Sequence, residues 1–349
     1  MSSAQRLPTM ADVAERAGVS PSTVSRALRG LPSISSEVRA RVEEAARELN
    51  FAVSRQAASL VTGKTGVVAA LVPTLNSWFH GSALSSLGPL VRAAGMELSV
   101  YLTPDMAERT AFFERLPARR NADALVVFGF DLTDEETVRL DDLGMPVIYV
   151  SQHAEGRPSV YVDDVEGAWK ATRYLLNLGH RRIAFAPTVG TNGFCFSSRE
   201  RLLGYRQALT EADIPLDDDL VVTMAFEDRR NIEEGVGKLL SLREPPTAVF
   251  AEMDELAIAI IHFLRRARVR VPEQISVIGF DDHQIAQWTD LSTVAQSPSD
   301  MGRLAGELAL ELIHDSSADR KRHLVLPTHL IPRSTTAPPA APQRDEEGR

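Results

Sequence analysis

A small all-α N-terminal domain followed by an α/β body of two doubly wound parallel-sheet subdomains is the fold class this sequence predicts. Three observations predict it. The stretch DVAERAGVSPSTVSRALRG, Asp12 to Gly30, sets a short amphipathic helix, a glycine and a second short helix in one span. From Val67 onward, short apolar runs alternate with helical patterns, as βαβ units do. The chain has 349 residues, more than one typical domain, and its charge is unevenly spread. Met1 to Thr65 holds nine basic and six acidic side chains, a net +3, whereas the whole chain is at −9 and the remainder therefore at −12. A basic head on an acidic body suits a protein that offers only its head to a polyanion.

The head can be justified element by element. Thr9 caps a first helix, with Asp12 closing a short-armed capping box, and Val13, Ala14 and Ala17 form its apolar side. Gly18 stops it and Val19 plugs the turn. Ser20 is the next N-cap, and Pro21 occupies the first helical position, where its fixed φ fits. Val24, Ala27 and Leu28 then face inward at i, i+3, i+4 spacing, leaving Ser22, Thr23, Ser25, Arg26 and Arg29 outside. A third helix from about Ser36 carries Val38, Val42, Ala45, Ala46 and Leu49 on one stripe. Such a helix-turn-helix lays its second helix in the DNA major groove, where hydroxyls reach phosphates and an Arg can pair with a guanine edge. The alternative is a helical interaction module whose polar face meets another protein, on a cytoplasmic small-molecule-binding protein.

In the body the strands expected are VVAALV, ELSVYL, ALVVFG and VIYVS, then RIAFAP, LVVTMAF, AVFAE and SVIGF. Two such groups imply two subdomains with a ligand cleft at the carboxyl ends of the strands. Enzyme motifs are missing: no G-x-G-x-x-G follows a strand, and there is no G-x-S-x-G elbow. TGKTG at Thr62 to Gly66 is a false phosphate loop, because Ala58 stands where its first Gly belongs. The single cysteine, Cys195, excludes an internal disulfide, and the eight histidines lack metal-ligand spacing, so neither cofactor nor metal is expected. Asp281, Asp282 and His283 read as a strand end with a capping role, and Asp282 as the cap. No apolar run reaches membrane-spanning length and MSSAQRLPTM lacks a signal's apolar stretch, so a cytoplasmic protein without membrane partners is expected. The Pro-rich, charged tail is expected to be disordered.

The opening stretch closely resembles the DNA-binding domain of the lactose/galactose repressor (LacI/GalR) family of bacterial regulators, whose N-termini read much like T…DVA..AGVS..TVSR.L. Every one of those letters is present from Thr9 to Leu28. Arg29 departs from the family's usual Asn. The likeness continues through VSRQAASLVTGKTG, similar to the family's hinge segment, to about Ser334. It implies a domain plan of 1–52 for the DNA-binding head, 53–65 for the hinge and 66–334 for an effector-binding and dimerisation body of the periplasmic-binding-protein type, with a tail at 335–349. The chain would cross between subdomains near Asp163, Trp288 and Leu326. The likeness further implies a repressor, dimer or tetramer, that acts in the bacterial cytoplasm at the nucleoid on near-palindromic operator DNA under a small-molecule, sugar-like effector.

The candidate DNA contacts are Ser20, Ser22, Thr23, Ser25, Arg26 and Arg29, with Arg55, Ala57 and Leu60 in the hinge. There Leu60 would wedge into the central base step. Among effector contacts, Arg201 matches the family Arg that grips ligand oxygens, as its planar donor fork allows. The alternative for Arg201 is a helix-face ion pair with Glu200 or Glu211. Asp281 matches the family's ligand carboxylate. Trp78 and Phe79 offer an apolar plate, although one of them could belong to the core, and Gln296 is a further candidate. Two positions depart from the family: Met253 replaces an amide and Ser151 an Asp. Fewer polar groups imply a ligand less hydroxylated than a free hexose, or one held elsewhere.

Overall fold

The computed structural model describes residues 8–28, 31–51, 63–189, 195–315 and 317–340. The chain divides into two compact units, Met1–Gly66 and Val67–Arg349.

In the first unit, α1 (Met10–Ala17), α2 (Pro21–Leu28) and α3 (Ser36–Glu48) close one small core. The capping box forms as expected: the Thr9 backbone N–H donates to Asp12 Oδ2 at 2.6 Å, and the Asp12 N–H returns to Thr9 Oγ1 at 3.4 Å. Gly18 takes φ +67° with open space around its Cα. The glycine is there for its left-handed backbone, which turns the chain between α1 and α2. Val13, Ala14, Ala17, Val24, Ala27, Val42, Ala45 and Ala46 are buried together, with Leu28, Val38 and Leu49 packed at their edge. Every apolar position expected from helical spacing faces this core.

The second unit has two lobes. In the first, a six-stranded parallel sheet runs in the order β10-β5-β4-β3-β1-β2. Its strands are β1 (Val67–Val72), β2 (Glu97–Leu102), β3 (Ala124–Phe128), β4 (Val147–Val150), β5 (Ser159–Val162) and β10 (His323–Leu326). Helices α4 (Trp78–Ala93) and α12 (Pro298–His314) cover one face. Helices α5 (Met106–Arg115) and α6 (Asp134–Asp141) cover the other. The second lobe is built on parallel β6 (Ile183–Ala186), β7 (Ala248–Ala251) and β8 (Ser276–Ile278). On its faces lie α7 (Asp164–Asn177) and α8 (Phe196–Glu211), opposite α9 (Arg229–Leu240) and α10 (Asp254–Arg266). The short α11 (Gln284–Trp288) follows β8, and β9 (Thr293–Ala295) pairs antiparallel with β11 (His329–Ile331).

Several expectations are corrected. LVVTMAF makes isolated bridges in place of a strand: Val222 and Met224 donate to the carbonyls of Phe185 and Pro187, but Pro187 has no N–H to return. Strands β5, β9, β10 and β11 were not expected from the sequence. The first crossing is at Asp163 and the third falls between β10 and β11, both as expected. The second lies at Gln296–Ser297 and not near Trp288, because β9 must first pair within the second lobe, where Asp281 and Gly279 bond Val294. The tail is not loose from residue 335. Thr335 Oγ1 donates to the Val277 carbonyl at 2.7 Å, and Ala337 N–H donates to Ser276 Oγ at 3.0 Å. His180 Nε2 lies 2.9 Å from the Ala337 carbonyl, so buried hydroxyls and a buried imidazole fix a stretch that composition alone marks as disordered. Residues 341–349 lie outside the described residues.

Candidate functional site

On the head, the polar face of α2 is narrower than its sequence suggests. Ser20 is exposed but acts as the N-cap, its Oγ accepting from Thr23 N–H at 3.2 Å and lying 2.8 Å from Ser22 Oγ. Thr23 and Ser25 are half-buried, whereas Ser22 and Arg26, four apart and hence on one side, are exposed. Arg29, Arg55, Ala57 and Leu60 lie outside the described residues.

In the body, the fold gathers Arg201, Asp281 and Gln296 at the junction of the lobes. Arg201, one turn into α8, is 4% exposed and engaged by the protein itself. Its Nε donates to Asp164 Oδ1 at 2.8 Å, its Nη1 to the Glu252 carbonyl at 2.5 Å, and the guanidinium lies 3.7 Å over the Phe280 ring. Its ion pair is therefore with Asp164, and not with Glu200 or Glu211. Burial opposes the Arg201 charge, but Asp164, Asp281 and Glu252 outweigh it and hold the guanidinium more firmly protonated than usual.

Asp281 follows β8 at φ +125°, and Ser151 follows β4 at φ +57°. Ser151 shares the ordinary left-handed region with seven other non-glycine residues among those described, whereas Asp281 at +125° lies outside it, a strain that folds retain chiefly at functional positions. Asp281 accepts from Gln296 Nε2 at 2.6 Å, while Gln296 Oε1 is buried with no partner among the described residues. Asp254, fully buried, accepts from Thr293 Oγ1 at 2.6 Å and from the His283 N–H at 2.8 Å. Gly279 makes room for it, since any Cβ there would collide with the Asp254 carboxylate. Glu252 accepts from Thr188 Oγ1 at 2.6 Å and Ser198 Oγ at 2.8 Å.

The remaining candidates fall differently. Trp78 reaches across the lobes, its ring centroid 4.9 Å from that of His283. Phe79 packs against the core of the first lobe, and Met253 against that of the second. No hydrogen bond among the described residues ties the Ser151 side chain to the Arg201 group. Asp282 pairs with Arg333 at 2.6 Å, and the cap of α11 is the His283 ring, which accepts from Ile285 N–H at 2.9 Å. Sequence reasoning missed Asp164, Glu252 and Asp254 as members of the cluster. The Asp163-Asp164 doublet at the first crossing and the acids flanking Met253 were the available signals.

Four buried carboxylates against one guanidinium is an electrostatic excess, and the cluster relieves it by holding protons. Burial pushes Asp281 up to about 7 and Asp254 up to about 8, each reinforced by neighbouring acids. Because these groups hold protons in the fold at pH values where an unfolded carboxyl, near pKa 3.9, has lost them, stability falls as pH rises from about 4 to about 8 and levels off above. Asp254→Asn should flatten that slope and gain roughly 1–3 kcal/mol at pH 8 relative to pH 5. Melting curves of both proteins at the two pH values check this, and parallel slopes would remove Asp254 from the account.

Comparison with known proteins accords with this geometry. Residues 9–54 match the model for bacterial regulatory proteins of the lacI family, and residues 172–336 that for the periplasmic binding protein-like domain. The HTH-type transcriptional regulator DegA of Bacillus subtilis (strain 168) is 32% identical over 342 residues, covering 95% of this chain and 98% of that protein. A solved complex of the transcriptional regulator CelR with cellobiose is 28% identical at a TM-score of 0.68, covering 94% of this chain and 99% of that one. The lac repressor dimer bound to operator and the anti-inducer ONPF shares the fold at a TM-score of 0.79 and 23% identity, covering 95% and 100%. No helix among the described residues is long and apolar enough to cross a membrane. A capped three-helix head, a two-lobed body and a likeness that runs nearly end to end place the chain in the lacI family of bacterial regulatory proteins, as an effector-controlled DNA-binding transcriptional regulator and not an enzyme.

Proposed function

We propose that this regulator represses transcription as a homodimer on a near-palindromic operator, in the cytoplasm and at the nucleoid. In this reading the effector sits at the strand ends between the lobes, against Asp281, Gln296 and Trp78. The observation that carries the effector site is Gln296 Oε1, buried with no partner among the described residues, beside Asp281 on positive-φ backbone. A buried acceptor left without a donor costs free energy that a ligand hydroxyl or N–H would recover. Arg201 acts as a positioning residue whose donors tie α8 to the first crossing and to β7. Ser151 and Met253 shape the walls, and Phe79 belongs to the core. The cellobiose bound by CelR and the ribose bound by a second similar regulator make sugars the first ligands to try. Calorimetric titration with cellobiose, ribose and a nucleoside panel tests the reading. A ligand whose affinity is indifferent to Asp281→Asn and to Gln296→Leu would put the site elsewhere.

On DNA, Ser22 and Arg26 of α2 meet the major groove, with Thr23 and Ser25 at the margin of that face. The hinge residues Arg55, Ala57 and Leu60 and the neighbouring Arg29 are proposed as further contacts on the resemblance alone. Arg26→Ala should relax base preference at one pair per half-site and cost roughly 1–3 kcal/mol per lost bidentate contact. Binding to operator and scrambled duplex is compared at fixed salt. An unchanged ratio would make Arg26 a phosphate contact.

A further inference from the structure

We propose that the body holds a second small-molecule site, for a small organic ammonium ion, in a cavity of about 230 Å³ beside the first crossing. His153, Tyr161, Asp163, Asp164, Phe196 and Glu200 line it. Trp78, Phe79, Ser151, Arg201, Met253, Asp281 and Gln296 do not, so the cavity is separate from the effector site proposed above, although the two meet at Asp164.

The walls are aromatic and acidic together. The His153 and Phe196 rings meet edge to face with centroids 4.9 Å apart, and His153 and Tyr161 lie 5.4 Å apart. Tyr161 comes from β5 of the first lobe and Phe196 from α8 of the second, so the cavity is assembled across the junction. Around the rings stand Asp163, Asp164 and Glu200, with Asp131 nearby. The cations facing them are Arg201, committed to Asp164, Arg199, which pairs with Asp131 at 2.9 Å and Glu200 at 3.7 Å, and, when it carries a proton, His153, whose Nε2 lies 4.0 Å from Glu200. Four carboxylates against two guanidiniums and one imidazole leave the surroundings negative even when His153 is charged. Arg199 already lies 5.1 Å over the Phe196 ring, an attraction of cation for ring face that an ammonium ligand would repeat. His323 Nδ1 occupies the Tyr161 hydroxyl at 3.3 Å, which leaves that residue's ring as its means of contact.

An ammonium ion answers both features, since ring faces and carboxylates attract the same charge. An anion would meet repulsion, and a sugar, whose C–H face can lie on a ring and whose hydroxyls can donate to the carboxylates, would leave the excess negative charge uncompensated. The site also bears on regulation. A cation seated between rings of both lobes favours the joined arrangement, and it competes with Arg201 for Asp164, whose Oδ1 accepts at 2.8 Å. A ligand with such a preference between lobe arrangements shifts the DNA-binding equilibrium.

The test titrates the full-length protein calorimetrically with choline and tetramethylammonium, beside 3,3-dimethylbutanol as choline's uncharged isostere and acetate as an anion. Choline and tetramethylammonium should bind, with the alcohol at least tenfold weaker and acetate silent. Phe196→Leu and the isosteric Glu200→Gln should each weaken choline at least tenfold without lowering the melting temperature, while Tyr161→Phe, which keeps the ring, should not. No binding by either ammonium ion overturns the proposal. So does equal affinity for the alcohol, which would make the cavity merely apolar, or choline binding that both variants leave intact. Cellobiose and ribose titrations of the same variants keep the effector reading separate, because neither Phe196 nor Glu200 belongs to it.

Discussion

Arg201→Ala is expected to cost roughly 3–5 kcal/mol of stability, the range found when one partner of a buried ion pair is removed. Asp164 would be left buried without its guanidinium and driven to take up a proton, and the Glu252 carbonyl would lose its donor. The Phe280 ring would also lose the group that covers it. In a body of this size the loss should appear as a fall in melting temperature of roughly 6–20 °C. Arg201→Lys should not restore it, since one ammonium cannot serve Asp164 and the Glu252 carbonyl in the same planar geometry while lying flat on a ring. The double replacement Arg201→Met with Asp164→Leu should recover much of the stability, because an apolar pair of similar bulk removes both desolvated charges. It should not recover the effector response if Arg201 positions the site. Should Arg201→Ala melt with the parent, the pair would be of little consequence to the fold, contrary to its burial.

Val24→Asp is expected to abolish DNA binding altogether. Val24 is fully buried in the head, whose core is otherwise small: apart from Val13 and Val42, its buried members are all alanines. A carboxylate placed there has no partner and must either unfold the head or hold a proton at a cost of several kcal/mol. A unit of this size has little stability to lose. Binding to operator and to scrambled DNA should both fall by two orders of magnitude or more, unlike the selective loss expected of Arg26→Ala. The melting transition of the body and its ligand titrations should stay at parent values, since the two units have separate cores. A concurrent loss of ligand binding would show that the body depends on the head for its fold.

The contrast between these residues shows what a sequence exposes. Thr9, Gly18, Ser20 and Pro21 act within three or four positions of themselves, so capping and turn chemistry could be read directly and the structure reproduces it. The same holds for the stripes of α1 to α3 and for strands long enough to form an apolar run. It fails where partners are distant. Strand β9 was not expected, so the second crossing was placed too early, and the tail's hydroxyl contacts join positions 58 and 61 residues apart.

The sequence by itself determined the two-part plan, the capped three-helix head with Arg26 on its outer face, and most of the body's strands, because helical and strand periodicity are local properties of the chain. Tertiary structure alone decided the chemistry at the lobe junction. Whether Arg201 would grip a ligand, pair along its own helix or turn inward depended on which carboxylate the fold delivered, and Asp164 comes from 37 residues away. Likewise, Asp281 and Asp254 are ordinary acids in a sequence. They hold their protons toward neutral pH only because β8, β9 and α10 bury them beside one another, and the free energy of a charge is set by the water and countercharges around it, which no short stretch of sequence contains.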